Sequence, residues 1–360
     1  MRKAWLVVVV TGIVVIGIIA ATFVFIISPE PGLQYEGVYE YRWDYDGPGK
    51  YHEDRFFFLS WSPGGTHLAS NFGASGAAFW NDTNGGELKT VDLPVYDPHE
   101  EGNAFWDVKF NPHLDVAAVG WYEGLAFYDL EGNLLSEIRG RQARSVAWSP
   151  LGDEIAVSWV DDGTSSISLD VLTYPNLIEV YSRNIEKAFD VLEWSPDSSH
   201  LIGCTRWHNP LVLFDRELQE RRVLIEDSLC HYMLSWSPDS STVLVPAENG
   251  LILLDVESAE ERHVIPQSSQ NACGTELGFA GVGLLYSGAY SPSGDMIAVG
   301  HYNGLVEVWS GDGKNRIDTL LFRPCVTSPP KDVYSVKWSP TGEKIAATGE
   351  HGVTVWEAGE

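Results

Sequence analysis

Trp148-Ser149-Pro150-Leu151-Gly152 decides the architecture, because the chain repeats its opening phrase seven times. The phrase is an aromatic residue, then Ser or Asn, then Pro, usually with Gly, Asp or Ser close behind. The other copies begin at Trp61, Phe110, Trp194, Trp236, Tyr290 and Trp338, and successive aromatics lie 49, 38, 46, 42, 54 and 48 residues apart. Self-similarity at such a period marks a chain built from stacked units, none of which buries its apolar face alone.

Working outward from the sixth copy shows what one unit contains. Leu284 to Tyr290 reads as a strand, and Ser291-Pro292-Ser293-Gly294 as a turn. Asp295 to Gly300 is a second strand, followed by the turn His301-Tyr302-Asn303-Gly304. Leu305 to Trp309 alternates as a third strand, and Arg316 to Leu321 supplies a fourth. Pro cannot donate to a ladder and ends the first strand, while Gly and Asn supply the positive φ that tight hairpins need. Four short antiparallel strands in a unit of this size form a propeller blade. The reading is an all-β, seven-bladed β-propeller of four-stranded antiparallel blades. A β-sandwich with coincidental aromatic-Pro turns does not account for seven copies at nearly constant spacing.

The pattern resembles the WD-repeat β-propellers, with the TolB-type propeller as close rival. The matching features are the Trp-Ser-Pro-x-Gly turn, the short second strand such as Ile345-Ala346-Ala347, and third strands such as Leu125 to Asp129 and Val353 to Trp356. The resemblance covers about residues 36–360. The Gly-His dipeptide of the WD subgroup is missing, and the Asp of its second hairpin is replaced by Glu123, Asn249, Asn303 or His351. The resemblance implies a protein- or peptide-binding scaffold without enzymatic activity or cofactor.

Before the propeller lie a stub (residues 1–3), Ala4 to Ile27 with no charged residue, and a stalk (residues 28–35). As a helix, 24 residues measure about 36 Å, enough to cross a hydrocarbon core of about 30 Å. The expectation is one transmembrane α-helix acting as an uncleaved signal anchor. Arg2 and Lys3 favour a cytoplasmic N-terminus, which places the propeller outside the cell membrane. Residues 36–43 alternate as a strand without a turn phrase, and the seventh repeat stops after three strands. Joining the two closes the ring and removes its open edges. Strand directions then bring the stalk in at the underside, where first strands end, and turn the top face away from the bilayer.

Two insertions, 81–102 and 266–283, break the rhythm. Asn81-Asp82-Thr83 is a glycosylation sequon. A net charge of −27 disfavours nucleic-acid partners. The four cysteines, Cys204, Cys230, Cys273 and Cys325, fit two bridges in an oxidising compartment, read from blade position as Cys204–Cys230 and Cys273–Cys325. The rival is a zinc site of Cys204, His208, Cys230 and His231.

Catalytic signatures such as a Gly-x-Ser-x-Gly elbow or His-Glu-x-x-His are absent. The candidate partner-binding residues gather on top-face loops: Trp106, Asp107, Trp121, Tyr122, Trp159, Asp161, Arg206, Trp207, His208, Tyr232, His301, Tyr302, Tyr334 and His351. Aromatics with His, Arg and carboxylates on loops over a rigid scaffold suit recognition. Each could equally pack blade against blade. Two alternatives stay open. One is a metal-dependent hydrolase or lyase, with Asp54, Asp107, Asp190 and Glu350 holding a divalent cation. The other is a carbohydrate or small-ligand sensor that stacks its ligand on Trp121, Trp207 and Tyr302. The expected propeller is monomeric.

Overall fold

The repeated phrase builds the same turn at each serine copy. The oxygen Oγ of Ser62, Ser149, Ser195, Ser237, Ser291 and Ser339 accepts the backbone N–H five residues on, at 2.9–3.1 Å. The backbone N–H of the same serine donates to that residue's carbonyl, so the turn is closed from both sides. Asn111 caps differently, its Oδ1 accepting the N–H groups of His113 and Leu114. The fifth position of the phrase takes positive φ as Gly65, Gly152, Gly294 and Gly342, and also as Ser198 and Ser240, both at 61°.

The computed structural model describes residues 7–10, 23–26, 35–42, 58–72, 76–81, 88–92, 107–161, 163–164, 166–205, 209–230, 233–268, 285–301, 304–322, 332–349 and 352–358. They form seven four-stranded antiparallel sheets and one separate strand pair. Blade 2 runs Asp107–Phe110, Val116–Trp121, Gly124–Asp129 and Leu134–Arg139. Blade 3 runs Gln142–Trp148, Glu154–Val160, Ile167–Thr173 and Glu179–Asn184, and blade 4 runs Val191–Trp194, His200–Cys204, Asn209–Asp215 and Arg221–Ser228. Blade 1 begins at Ser60–Trp61, blade 5 at Ser235–Trp236 and blade 6 at Leu285–Tyr290. Blade 7 joins Val333–Trp338, Lys344–Gly349 and Gly352–Ala358 to Tyr35–Arg42 as outer strand, with Tyr35 opposite Ala358 and Arg42 opposite Gly352.

The core lies between blades. Each of the seven apolar clusters of buried residues joins one blade to the next. The cluster between blades 7 and 1 includes Ala346, Val353 and Val355 on one side, with Trp61, Leu68 and Trp80 on the other. The turn aromatics fill these seams and also bind across them. The indole N–H of Trp148 donates to Lys109 O, that of Trp194 to Ala147 O and that of Trp236 to Glu193 O. Trp338 reaches Ala289 O and Trp61 reaches Lys337 O, which carries the series round the join. Every acceptor is the residue just before the preceding blade's aromatic. Phe110 and Tyr290 have no indole, and there the backbone takes over as donor in the same direction. Their backbone N–H groups donate to Ser60 Oγ and Ser235 Oγ in the blade before.

Within Ala4 to Ile27 the described residues are two short strands, Val7–Val10 and Phe23–Ile26, paired antiparallel. The rest of that segment, the stalk up to residue 34 and most of both insertions lie outside the described residues. Among the described residues no helix is long and apolar enough to cross a membrane.

Candidate functional site

The structure puts several candidate residues inside rather than on top. Trp121 and Trp159 are strand residues at the top of blades 2 and 3, 3% and 1% exposed. His301, last in Met296–His301, is fully buried, and Asp107 and Tyr334 are buried as well. These positions read as turn tips, but the strands run on through them and direct the side chains into the seams. Tyr122 and Asp161 are half-buried. Trp106, Arg206, Trp207, His208, Tyr232, Tyr302 and His351 lie outside the described residues, as do Asp54 and Glu350.

An arginine arc crosses the top of blades 2 to 4. Arg139 stands over the Trp121 ring at 5.6 Å and Arg141 over the Trp159 ring at 4.7 Å. Carboxylates hold each guanidinium. Arg139 pairs with Glu137 at 2.9 Å and approaches Glu123 at 3.5 Å. Arg141 bonds Asp170 at 3.0 Å and Ser168 Oγ at 2.7 Å, and Ser182 Oγ holds the other oxygen of Asp170. Arg144 bonds Asp190 at 2.9 Å. The arginine side chains keep 54%, 33% and 30% exposure, whereas Asp170 is at 2%. A guanidinium over an aromatic face gains attraction and loses freedom, so this surface is ordered before any partner arrives. The arc comes from one stretch, Arg139-Gly140-Arg141-Gln142-Ala143-Arg144.

Residues 323–357, which include the inner strands of blade 7, match the family model for the WD domain, G-beta repeat. That match joins seven closed four-stranded sheets. The chain is a WD-repeat-like seven-bladed propeller. No curated protein matches it significantly.

The axis of this WD-repeat-like propeller is closed by charge. Lys109, Glu193 and Lys337 each precede a turn aromatic and together line one small cavity shared by several blades. Lys109 Nζ bonds Glu193 Oε1 and donates to Leu192 O at 3.3 Å, while Lys337 Nζ stands 3.8 Å from the same Glu193 oxygen. Burial by itself would raise the Glu193 carboxyl, but Lys109 and Lys337 outweigh it and hold it below the usual range. Lys337 is lowered, by burial first and by Lys109 as well. Asp107 lies in the same cavity, with Oδ2 held by Ser145 Oγ at 2.8 Å and the Val146 N–H at 3.1 Å. Burial raises its carboxyl, against the pull of Lys109. The space left amounts to about 10 Å³, room for at most one small molecule such as water. Sequence reasoning missed this group, although the signal was legible: a charged residue before the aromatic in three repeats.

A second buried network sits in the seam between blades 5 and 6. His301 Nε2 lies 3.1 Å from Glu307 Oε2, which also accepts the Trp309 indole N–H at 3.0 Å. Arg316 bonds the other oxygen at 2.9 Å. Burial by itself would raise Glu307, but His301, Arg316 and Trp309 hold it below its ordinary value. The propeller also carries the Cys204–Cys230 disulfide within the core between blades 4 and 5, both residues fully buried. Cys273 and Cys325 lie outside the described residues. Among the described residues no three His, Cys, Asp or Glu side chains gather as a metal site. Of the four carboxylates named for a cation, Asp107 faces the lysine-filled axis and Asp190 pairs with Arg144.

Proposed function

We propose that the chain is a membrane-anchored, extracytoplasmic scaffold without enzymatic activity, whose top face binds a protein or peptide partner. The observation that carries this reading is the arginine arc over Trp121 and Trp159. Arginines held in fixed poses supply binding energy at low ordering cost, and interfaces are enriched in Arg. The WD-repeat-like architecture supports it, being a rigid frame that presents loops. The Cys204–Cys230 disulfide fits an oxidising compartment, and Arg2 and Lys3 before Ala4 to Ile27 fit a cytoplasmic N-terminus.

Proximity labelling from the full chain in its own cell tests the reading, with Arg139→Glu and Arg144→Glu combined as the comparison. A partner labelled by the parent and lost from the double variant, at unchanged melting temperature, supports it. An identical set of labelled proteins from both chains would remove the top face from consideration.

A further inference from the structure

Exposed large apolar side chains gather on the underside of blades 2 and 3. Eight large apolar side chains are exposed among the described residues. Six of them are Leu114, Leu134, Leu135, Leu151, Ile178 and Val180, between 42% and 63% exposed, and all belong to these two adjacent blades. The other two, Ile317 and Leu321, lie on the outer strand of blade 6. Single exposed leucines are ordinary, whereas a contiguous group marks an interaction surface.

Topology puts all six at one end. Leu114 and Leu151 occupy the turns between first and second strands. The other four lie where outer strands begin, just past the third-strand turn. In an antiparallel blade both kinds of turn lie on the underside. The two turns are tied together, since His113 Nε2 meets Pro150 O at 2.9 Å and Asn111 Nδ2 donates to Gly152 O at 2.8 Å. The loop leading to Ile178 is pinned through Tyr174, whose ring centroid lies 5.1 Å from that of Phe127 and, edge to face, 5.0 Å from that of Trp148. The patch is therefore preformed.

The same end receives the N-terminal segment. Tyr35 pairs with Ala358 at the foot of blade 7, so the chain before Tyr35 leaves from the underside. Residues 28–34 reach at most about 24 Å. The underside thus stays close to wherever the uncharged stretch Ala4 to Ile27 is lodged. Exposed Asp115, Glu131 and Asp153 adjoin the apolar residues in sequence and oppose an anionic surface. We propose that this rim of blades 2 and 3 is a lipid-contact surface, resting on zwitterionic headgroups of the bilayer that holds Ala4 to Ile27. The proposal rests on the membrane-anchor reading and adds to it a second point of contact, which sets the tilt of the propeller.

The test uses the full chain in phosphatidylcholine vesicles that contain a phosphatidylcholine with a diazirine near its headgroup. Illumination and peptide mapping locate the lipid adducts. Adducts are expected within residues 4–27 and on the six rim residues, and not on Ile317 or Leu321. Combining Leu151→Asp with Ile178→Asp should reduce rim adducts at least about fivefold, leaving those in 4–27 unchanged. Replacing a third of the lipid by phosphatidylserine should reduce them too. Adducts confined to 4–27 would leave the anchor standing and overturn the rim. Rim adducts without any in 4–27 would support the rim and overturn the anchor, and no adducts would overturn both. An adduct-free rim on a chain that light scattering shows as a dimer, monomeric in the Leu151→Asp variant, would give the surface to a second copy instead.

Discussion

Glu193 keeps two lysines together at the axis, and removing its charge leaves both without their shared anion. The side chains of Lys109, Glu193 and Lys337 are only 17–24% exposed. Glu193→Gln should therefore cost about 3 kcal/mol, the penalty of breaking a buried ion pair from one side. Lys337→Met should cost far less, since Lys109 still satisfies Glu193; chemical denaturation of both variants checks the order. Glu307 gives a pH dependence. Its carboxyl titrates below the ordinary 4.5 in the folded chain, so its stabilising contribution is complete above that pH and is lost as pH falls through the folded value. Glu307→Gln should be destabilised at pH 7, with the gap to the parent narrowing below pH 4.5 in thermal melts. A gap of constant size would assign the cost to packing. At the seams, Trp194→Ala should lose about 3–5 kcal/mol through the cavity, whereas Trp194→Phe should lose about 1–2 kcal/mol for the unmade bond to Ala147 O. Equal losses would mean that the indole N–H bond, and not the cavity, carries the cost.

The turn is the element that sequence and structure share most fully. Its aromatic, Ser and Pro could be read directly, because each is required by local geometry: a seam to fill, an N–H to cap and a ladder to end. What could not be read was the facing of residues at the far ends of second strands. Trp121, Trp159 and His301 look like turn tips, and one residue of extra strand sends each sideways into a seam instead. No local signal marks where such a strand stops. The arginine arc was hidden for a related reason, since Asp170 and Asp190, which anchor it, belong to other strands or to the next blade. Turn geometry makes its own prediction. A Cβ at Gly152 would fall 2.5 Å from Asn111 Oδ1, while one at Gly65 meets nothing nearer than 3.7 Å. Both positions have positive φ, so either alanine is strained by about 1–2 kcal/mol. Gly152→Ala should be the worse of the two, because it also displaces the bond from Asn111 Nδ2 to Gly152 O. Ser198→Gly, which relieves φ at 61°, should be neutral or stabilising by up to about 1 kcal/mol.

For the whole molecule, the seam between blades 4 and 5 carries a covalent tie as well as packing. Replacing both Cys204 and Cys230 by alanine should cost about 2–4 kcal/mol, measured against the oxidised parent by denaturant unfolding. A loss under about 0.5 kcal/mol would mean that the buried apolar cluster holds the seam unaided. The acidic surface, with 50 carboxylates against 23 basic residues, contrasts with the lysines at the axis and the arginines over Trp121 and Trp159. Five of those cations brace the axis or form the top face.

The pairing of Tyr35–Arg42 with Gly352–Ala358 joins segments roughly three hundred residues apart in the chain. A ribosome making this protein releases one half of that clasp roughly three hundred residues before the other. Through that interval the early strand therefore waits with its ladder unmatched. Some chaperone, neighbouring surface or transient partner must occupy it, or aggregation competes with ring closure.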